Sequence, residues 1–177
     1  GVAETLLNYE ADSSRPRAIV VATYKLEAKA TARLLVERGF AAAALHGDQT
    51  LTARTNVVEA FRRGALDVLV ATDVAARGLD VAGVGHVISL SMGLSVETLV
   101  HRSGRCGRAG AHGVATAFVV DGDEHLVVPL VEFLERDRRT VPPQLRELAV
   151  KVAASTKRRA AAAERATVDP AAAEAEE

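Results

Sequence analysis

"LDVLVATDVAARGLDV" occupies Leu66–Val81. Its first half is a short run of β-branched and aliphatic residues that stops at Thr72 and Asp73, where a hydroxyl and a carboxylate follow the apolar segment directly. A run of that length, bounded by polar residues and rich in valine, predicts a buried strand over Leu66–Thr72. Outward from it the pattern alternates. "RAIVVAT" (Arg17–Thr23) reads as a second buried strand and "FAAAAL" (Phe40–Leu45) as a weaker one. Between them "KLEAKATARLLVERG" has helical spacing, with Leu26, Ala30, Leu34 and Leu35 on one face and Gly39 as the stop. "LTARTNVVEAFRRG" predicts a helix with Thr50 as N-cap and Gly64 beyond its end. "VGHVISL" and "GVATAFVV" add strands, "SVETLVHR" a short helix, and Asp123–Asp137 a longer one.

Strands and helices in alternation, with short connections, predict an α/β fold: a mostly parallel sheet with helices on both faces. In such sheets ligands lie beyond the carboxyl ends of the strands. Thr23, His46-Gly47-Asp48 and Thr72-Asp73 each follow a strand there.

Composition narrows the classes. The 177 residues are 49% hydrophobic and 25% charged, with a formal net charge of -1. That suits a soluble globular chain with a real core. No apolar run approaches a membrane span, so no membrane partner is expected. Cys106 is the only cysteine, which rules out an internal disulfide and fits a reducing, intracellular compartment; cytoplasm, nucleus and organelle are not distinguished. With no bulk positive charge, any nucleic-acid contact rests on a local patch. The six aromatics, Tyr9, Tyr24, Phe40, Phe61, Phe118 and Phe133, mostly sit in apolar runs and read as core. A nucleic-acid partner is therefore expected to be held by its backbone rather than by stacking.

Three stretches carry candidate chemistry. "HRSGRCGRAG" (His101–Gly110) sets Arg102, Arg105 and Arg108 three residues apart among glycines. This is either a solvated basic loop or a grip for phosphate, whose oxygens match the planar guanidinium fork. In "ATDVAARGLDV", Thr72 offers a hydroxyl, Asp73 can orient a guanidinium, Gly78 permits close backbone approach, and Asp80 suits a ribose hydroxyl. The same residues read equally as a strand followed by a turn with Asp73 as its cap. In "LHGDQTLTAR", Gly47 is a turn glycine, and Arg54 lies on the first turns of a helix whose amides can bind phosphate. By itself, such an arginine is usually solvated.

In this order and spacing the stretches resemble the C-terminal RecA-like domain of DEAD-box RNA helicases, over about Arg17 to Leu148. "RAIVVAT" looks like that family's motif IV, "ATDVAARGLD" like motif V, and "HRSGRCGR" like motif VI. The resemblance implies a RecA-like three-layer sandwich. It implies that Arg105 and Arg108 act as catalytic arginines on the γ-phosphate of ATP, and that Gly78 and Asp80 lie against the nucleotide. His101 and Arg102, with Asp73 and Arg77, fall at interdomain positions; Thr23, Gly47, Arg54 and Thr72 fall near the RNA backbone. Four places depart from the family's pattern: Leu51 stands where Gln is usual, Ser89–Gly93 replaces N-Y-D-x-P, Leu99 replaces an aromatic, and Cys106 stands where Thr is common.

No G-x-x-x-x-G-K-[ST] loop and no D-E-A-D occur in the chain. ATP with magnesium is accordingly expected to be bound mainly by an N-terminal RecA-like domain of the same protein. The expected organisation is residues 1–16 as the end of a linker with a short helix, 17–148 as the helicase domain, and 149–177 as a helical extension with an acidic, low-complexity tail. The expected function is the C-terminal half of an ATP-dependent RNA helicase, inactive alone, gripping RNA without sequence preference and open to protein cofactors. The alternative is a non-catalytic RNA- or protein-binding module derived from such a domain. "VVDGDEHL" imitates a magnesium-binding strand end, but without a phosphate loop the better reading is Asp121 as a helix N-cap, with Asp123 and Glu124 favouring the helix dipole. No metal site is expected. Cys106, beside arginines, is expected to have an acidified thiol.

Overall fold

A computed structural model describes residues 2–9, 17–79, 81–107 and 113–168. In chain order the elements are α1 (Val2–Tyr9), β1 (Arg17–Ala22), α2 (Lys25–Glu37), β2 (Ala42–Leu45), α3 (Leu51–Arg62), β3 (Val68–Thr72), α4 (Asp73–Ala76), β4 (Val84–Ser89), α5 (Val96–Ser103), β5 (Val114–Ala117), α6 (Glu124–Arg136) and α7 (Pro143–Val168). The chain divides into two compact units, Gly1–Val120 and Asp121–Glu177.

The first unit is an α/β layer structure. Its five strands are all parallel, in the order β2-β3-β1-β4-β5. Side chains on a strand alternate between faces, and here both faces are covered. Ala18, Val20 and Ala22 of β1, with Val68, Val70 and Ile88, pack with Leu6 of α1 and with Ala28, Ala32 and Leu35 of α2. Their neighbours Ile19, Val21, Leu69, Ala71 and Val87 pack on the other side with Phe61 of α3 and with Ala75 and Ala76 of α4. Each fully buried Val or Ile here contributes about 1.5–3 kcal/mol relative to exposure.

The buried face of α2 matches the expected one only at Leu35. Ala28, Ala32 and Leu35 face the sheet, whereas Leu26 and Leu34 are exposed. Two stripes of similar period run along this helix, and the one with the smaller side chains lets the helix axis lie close to the sheet. Tyr24 likewise departs from the core reading: it is exposed at the N-cap of α2. The cap of α3 is as expected, with Thr50 Oγ1 accepting from Ala53 N at 3.2 Å.

Register places the strand ends at one level. Ala22 pairs with Thr72, Leu45 with Ala71, and Val21 with Ser89. Thr23, His46, Asp73 and Ser91 therefore emerge along one edge of the sheet, at the carboxyl ends of β1 to β4.

In the second unit α6 and α7 share a small core of Val127, Val131, Val141 and Ala149. The N-cap of α6 is Asp123, not Asp121, and its side chain makes no capping bond. Glu124 instead accepts from Gly122 N at 2.9 Å, and the helix starts two residues later than the sequence suggests. Helix α7 runs without interruption through positions 148 and 149.

Candidate functional site

Helix α5 starts where Ser95 Oγ accepts from Thr98 N at 3.2 Å. Its last turn carries His101 and Arg102, and Arg105 N donates to Arg102 O at 3.0 Å just beyond it. Helix α4 begins directly at the end of β3 with Asp73 in its first turn. The two segments meet at a cleft of about 290 Å³ lined by Asp73, Arg77, Thr98, His101, Arg102 and Arg105.

Arg102 is the fixed point of this cleft. It is 3% exposed. Nε donates to Asp73 Oδ1 at 2.7 Å, Nη2 to Asp73 Oδ2 at 2.6 Å, and Nη1 to the Ser91 carbonyl at 2.8 Å. A bidentate pair with a third bond compensates the guanidinium for lost water. It also ties α5 to α4 and to the segment after β4. Gly93 makes room for it: a Cβ there would lie 2.9 Å from Arg102 Nη2, and the residue has φ of +81°. The altered segment Ser89–Gly93 thus supplies both an acceptor and a gap for this side chain.

Arg105, three residues on, is half-buried, and among the described residues its guanidinium has no hydrogen-bond or ion-pair partner. Arg77 and His101 are exposed on the same cleft. Because Asp73 is occupied by Arg102, Arg77 and Arg105 leave the cleft positive.

Arg77 also lines a second cleft of about 270 Å³, with Arg54, Arg62, Gly78, Leu51 and Leu79. Arg62 pairs with Glu59 at 2.7 Å. Gly78 sits exposed at φ +75°, a conformation that side chains rarely adopt. Gly47 is exposed after β2, while Thr72 is buried at the end of β3. Thr23 Oγ1 lies 2.9 Å from Ser91 Oγ, and Thr23 N donates to Glu27 Oε2 at 3.1 Å. Asp80 and Arg108 lie outside the described residues.

Beside Gly47, Lys25 Nζ donates to Asp48 Oδ1 at 3.2 Å, and Lys29 Nζ lies 3.7 Å from Oδ2. The hydrogen bond from Lys25 lowers the Asp48 pKa, with the two lysine charges adding to it. His46 is buried, and Nδ1 has no hydrogen-bond partner among the described residues. Burial lowers its pKa, and Lys29 adds to the effect. The Cys106 thiol departs from expectation. Burial pushes its pKa up, and Sγ donates to Ser103 O at 3.2 Å. Desolvation outweighs the backbone hydrogen bonds that act the other way.

The sequence reading missed Ser91, Gly93 and the Lys25–Asp48 pair. Only Gly93 carried a signal, as an isolated glycine just past a strand.

Comparison with known proteins fits this geometry. The helicase conserved C-terminal domain family matches residues 2–110. The ATP-dependent RNA helicase DBP3 of Coccidioides immitis (strain RS) is 43% identical over 129 residues, which cover 73% of this chain and 25% of the relative. DEAD-box ATP-dependent RNA helicase 14 of Arabidopsis thaliana is 49% identical over 114 residues, 64% of this chain and 18% of that protein. The crystal structure of the RNA-helicase Prp28 from Chaetomium thermophilum bound to ADP superposes with a TM-score of 0.72 at 34% identity, covering 82% of this chain and 35% of the other. The chain therefore spans about a quarter or less of the length of the two relatives. It belongs to the helicase conserved C-terminal domain family, as the C-terminal RecA-like domain of a DEAD-box helicase.

Proposed function

We propose that this chain is the C-terminal half of an ATP-dependent RNA helicase, and that its first cleft completes the site for ATP held chiefly by an N-terminal RecA-like domain. The observation that carries the reading is the contrast inside that cleft: Arg102 is locked to Asp73, and Arg105 beside it has no partner among the described residues. A cation without a partner on a pre-ordered turn fits an anion arriving from outside the chain. ATP with magnesium would supply the phosphoryl group and its leaving group. Arg105, with Arg108, would place planar donors against the oxygens where charge builds during transfer. Gly78 and Asp80 would lie toward the ribose. Arg102 and Asp73 act one step back, by holding the helix end from which Arg105 projects. His101 and Arg77, exposed on the same cleft, would meet the partner domain.

RNA would run along the sheet edge defined by Thr23, Gly47, Arg54 and Thr72. Backbone amides and arginines at such positions contact phosphate and sugar, which gives little sequence preference and marked weakening by salt. The support is the shared register of the strand ends and the excess of arginine in the second cleft. RNA helicase names among the relatives point the same way.

The test is RNA-stimulated ATP turnover in the full-length protein, with Arg105→Ala and Arg108→Ala made separately. Each is expected to lose about 10³-fold, the lower end of what an arginine finger supplies, because two arginines share the task. The 177-residue chain alone is expected to show no turnover above background. Near-normal rates in both variants would return the stretch to a basic loop, and a non-catalytic RNA- or protein-binding module would then be the better reading.

A further inference from the structure

Among the described residues, the five most exposed large apolar side chains are Leu94 at 82%, Leu51 at 78%, Val74 at 73%, Leu26 at 72% and Tyr24 at 71%. All five lie within six residues beyond the carboxyl ends of β1 to β4. Side chains of this kind scattered singly need no explanation, but all five follow strand ends on the edge proposed above for RNA. Tyr24 is the one aromatic among them, and it sits between Thr23 and Lys25.

Its setting is rigid. Tyr24 is the extended N-cap of α2, with φ of -116° and ψ of 147°, and its carbonyl accepts from Ala28 N at 3.0 Å. Thr23 before it is tied to Ser91, and Lys25 after it is tied to Asp48 in the loop leading to α3. That ion pair brings the start of α2 beside the loop that leads to Leu51. Leu51 and Arg54, one turn apart on α3, both line the second cleft. Through Leu51 the apolar edge meets a cleft that, among the described residues, carries three arginines, Arg54, Arg62 and Arg77, and one carboxylate, Glu59. An occupant must be anionic in one part and apolar and flat in another. An unpaired nucleotide has that chemistry; a purely acidic peptide lacks the flat apolar part.

We infer that Tyr24 is a stacking platform for one unpaired base of the bound RNA, on the same sheet edge as the arginine cleft that holds the backbone. The inference rests on the RNA reading above and adds a base contact that the scarcity of aromatics argued against. Stacking is tolerant of sequence because every base has a π-face, so it raises affinity without reading a code. The ring has few torsions to freeze, and its backbone is already fixed.

The experiment uses fluorescence anisotropy on the full 177-residue chain with two labelled strands of equal length: oligoadenylate, and the same sugar-phosphate chain with abasic sites. Tyr24→Ala, Tyr24→Phe and Arg54→Ala are compared with the parent, with circular dichroism melts confirming the fold. The parent should bind oligoadenylate roughly fivefold or more tighter than the abasic strand. Tyr24→Ala should abolish that difference, Tyr24→Phe should keep it, and Arg54→Ala should weaken both strands alike. Equal binding of the two strands by the parent, or the difference persisting in Tyr24→Ala, overturns the inference while leaving the backbone reading intact. Tyr24→Ala weakening both strands equally also overturns it and makes Tyr24 a shaping residue of the edge. No binding of either strand sinks the backbone reading and this inference with it.

Discussion

Arg102 and Arg105 are the same residue type, three positions apart, on one cleft. The first is buried and engaged through all three guanidinium nitrogens; the second is half-buried with no partner among the described residues. The difference teaches that a run of arginines is not one functional unit. One is part of the scaffold and fixes geometry; the other, in the reading proposed above, is left to meet a charge from elsewhere. Substitution should therefore separate them on two axes, stability and turnover.

The largest stability effect should come from Arg102→Ala. Removing one partner of a buried, hydrogen-bonded pair leaves the Asp73 carboxylate without its cation, and such losses cost about 3–5 kcal/mol. Denaturant unfolding should show a drop of that size, whereas Arg105→Ala should stay within roughly 0.5 kcal/mol of the parent. Similar losses in both would erase the distinction. Gly93→Ala comes next. It forces a side chain into φ of +81° and against the guanidinium of Arg102. About 1–3 kcal/mol is expected from strain of this kind. The same unfolding measurement checks it, and a neutral result would show that Arg102 has room to shift.

The smallest effect should be acid sensitivity remote from the cleft. Burial lowers the pKa values of His46 and His86 below the ordinary 6.5. The unfolded chain then takes up protons that the fold withholds, so their contribution is complete above about pH 7. It is lost as pH falls through 6.5 toward the lowered values of the folded state. His46→Gln should flatten this part of the stability profile between pH 7 and pH 5. An unchanged slope in a His46→Gln, His86→Gln double variant would remove both imidazoles from the account.

The sheet was legible in the sequence because its strands are short valine-rich runs bounded by polar residues, and β1, β3 and β4 all fall inside the expected segments. The family resemblance put Asp73, Arg77, His101 and Arg102 at interdomain positions and Arg105 at the γ-phosphate, and all five line the first cleft. Sequence could not say which arginine faces inward. Spacing is identical for both, and the choice depends on Asp73 and the Ser91 carbonyl, which are distant in the chain. The buried face of α2 was misread in part for a related reason: Leu26 and Leu34 drew the stripe, while the sheet accepts Ala28 and Ala32 with Leu35. The aromatics were read mostly as core from the apolar runs around them, yet the chain turns at Thr23 and leaves Tyr24 exposed. Cys106 was read from its charged neighbours in sequence, whereas its pKa answers first to its own burial.

The central claim is that the cleft divides anchor from finger, and Arg105→Lys in the full-length protein tests it most directly. Lysine keeps the charge and loses the planar fork. RNA-stimulated ATP turnover should fall by about 10³-fold, equivalent to about 4 kcal/mol, with the melting temperature and nucleotide-free RNA affinity unchanged. Turnover within a few-fold of the parent, or a loss accompanied by an equal loss of folding stability, would contradict the claim.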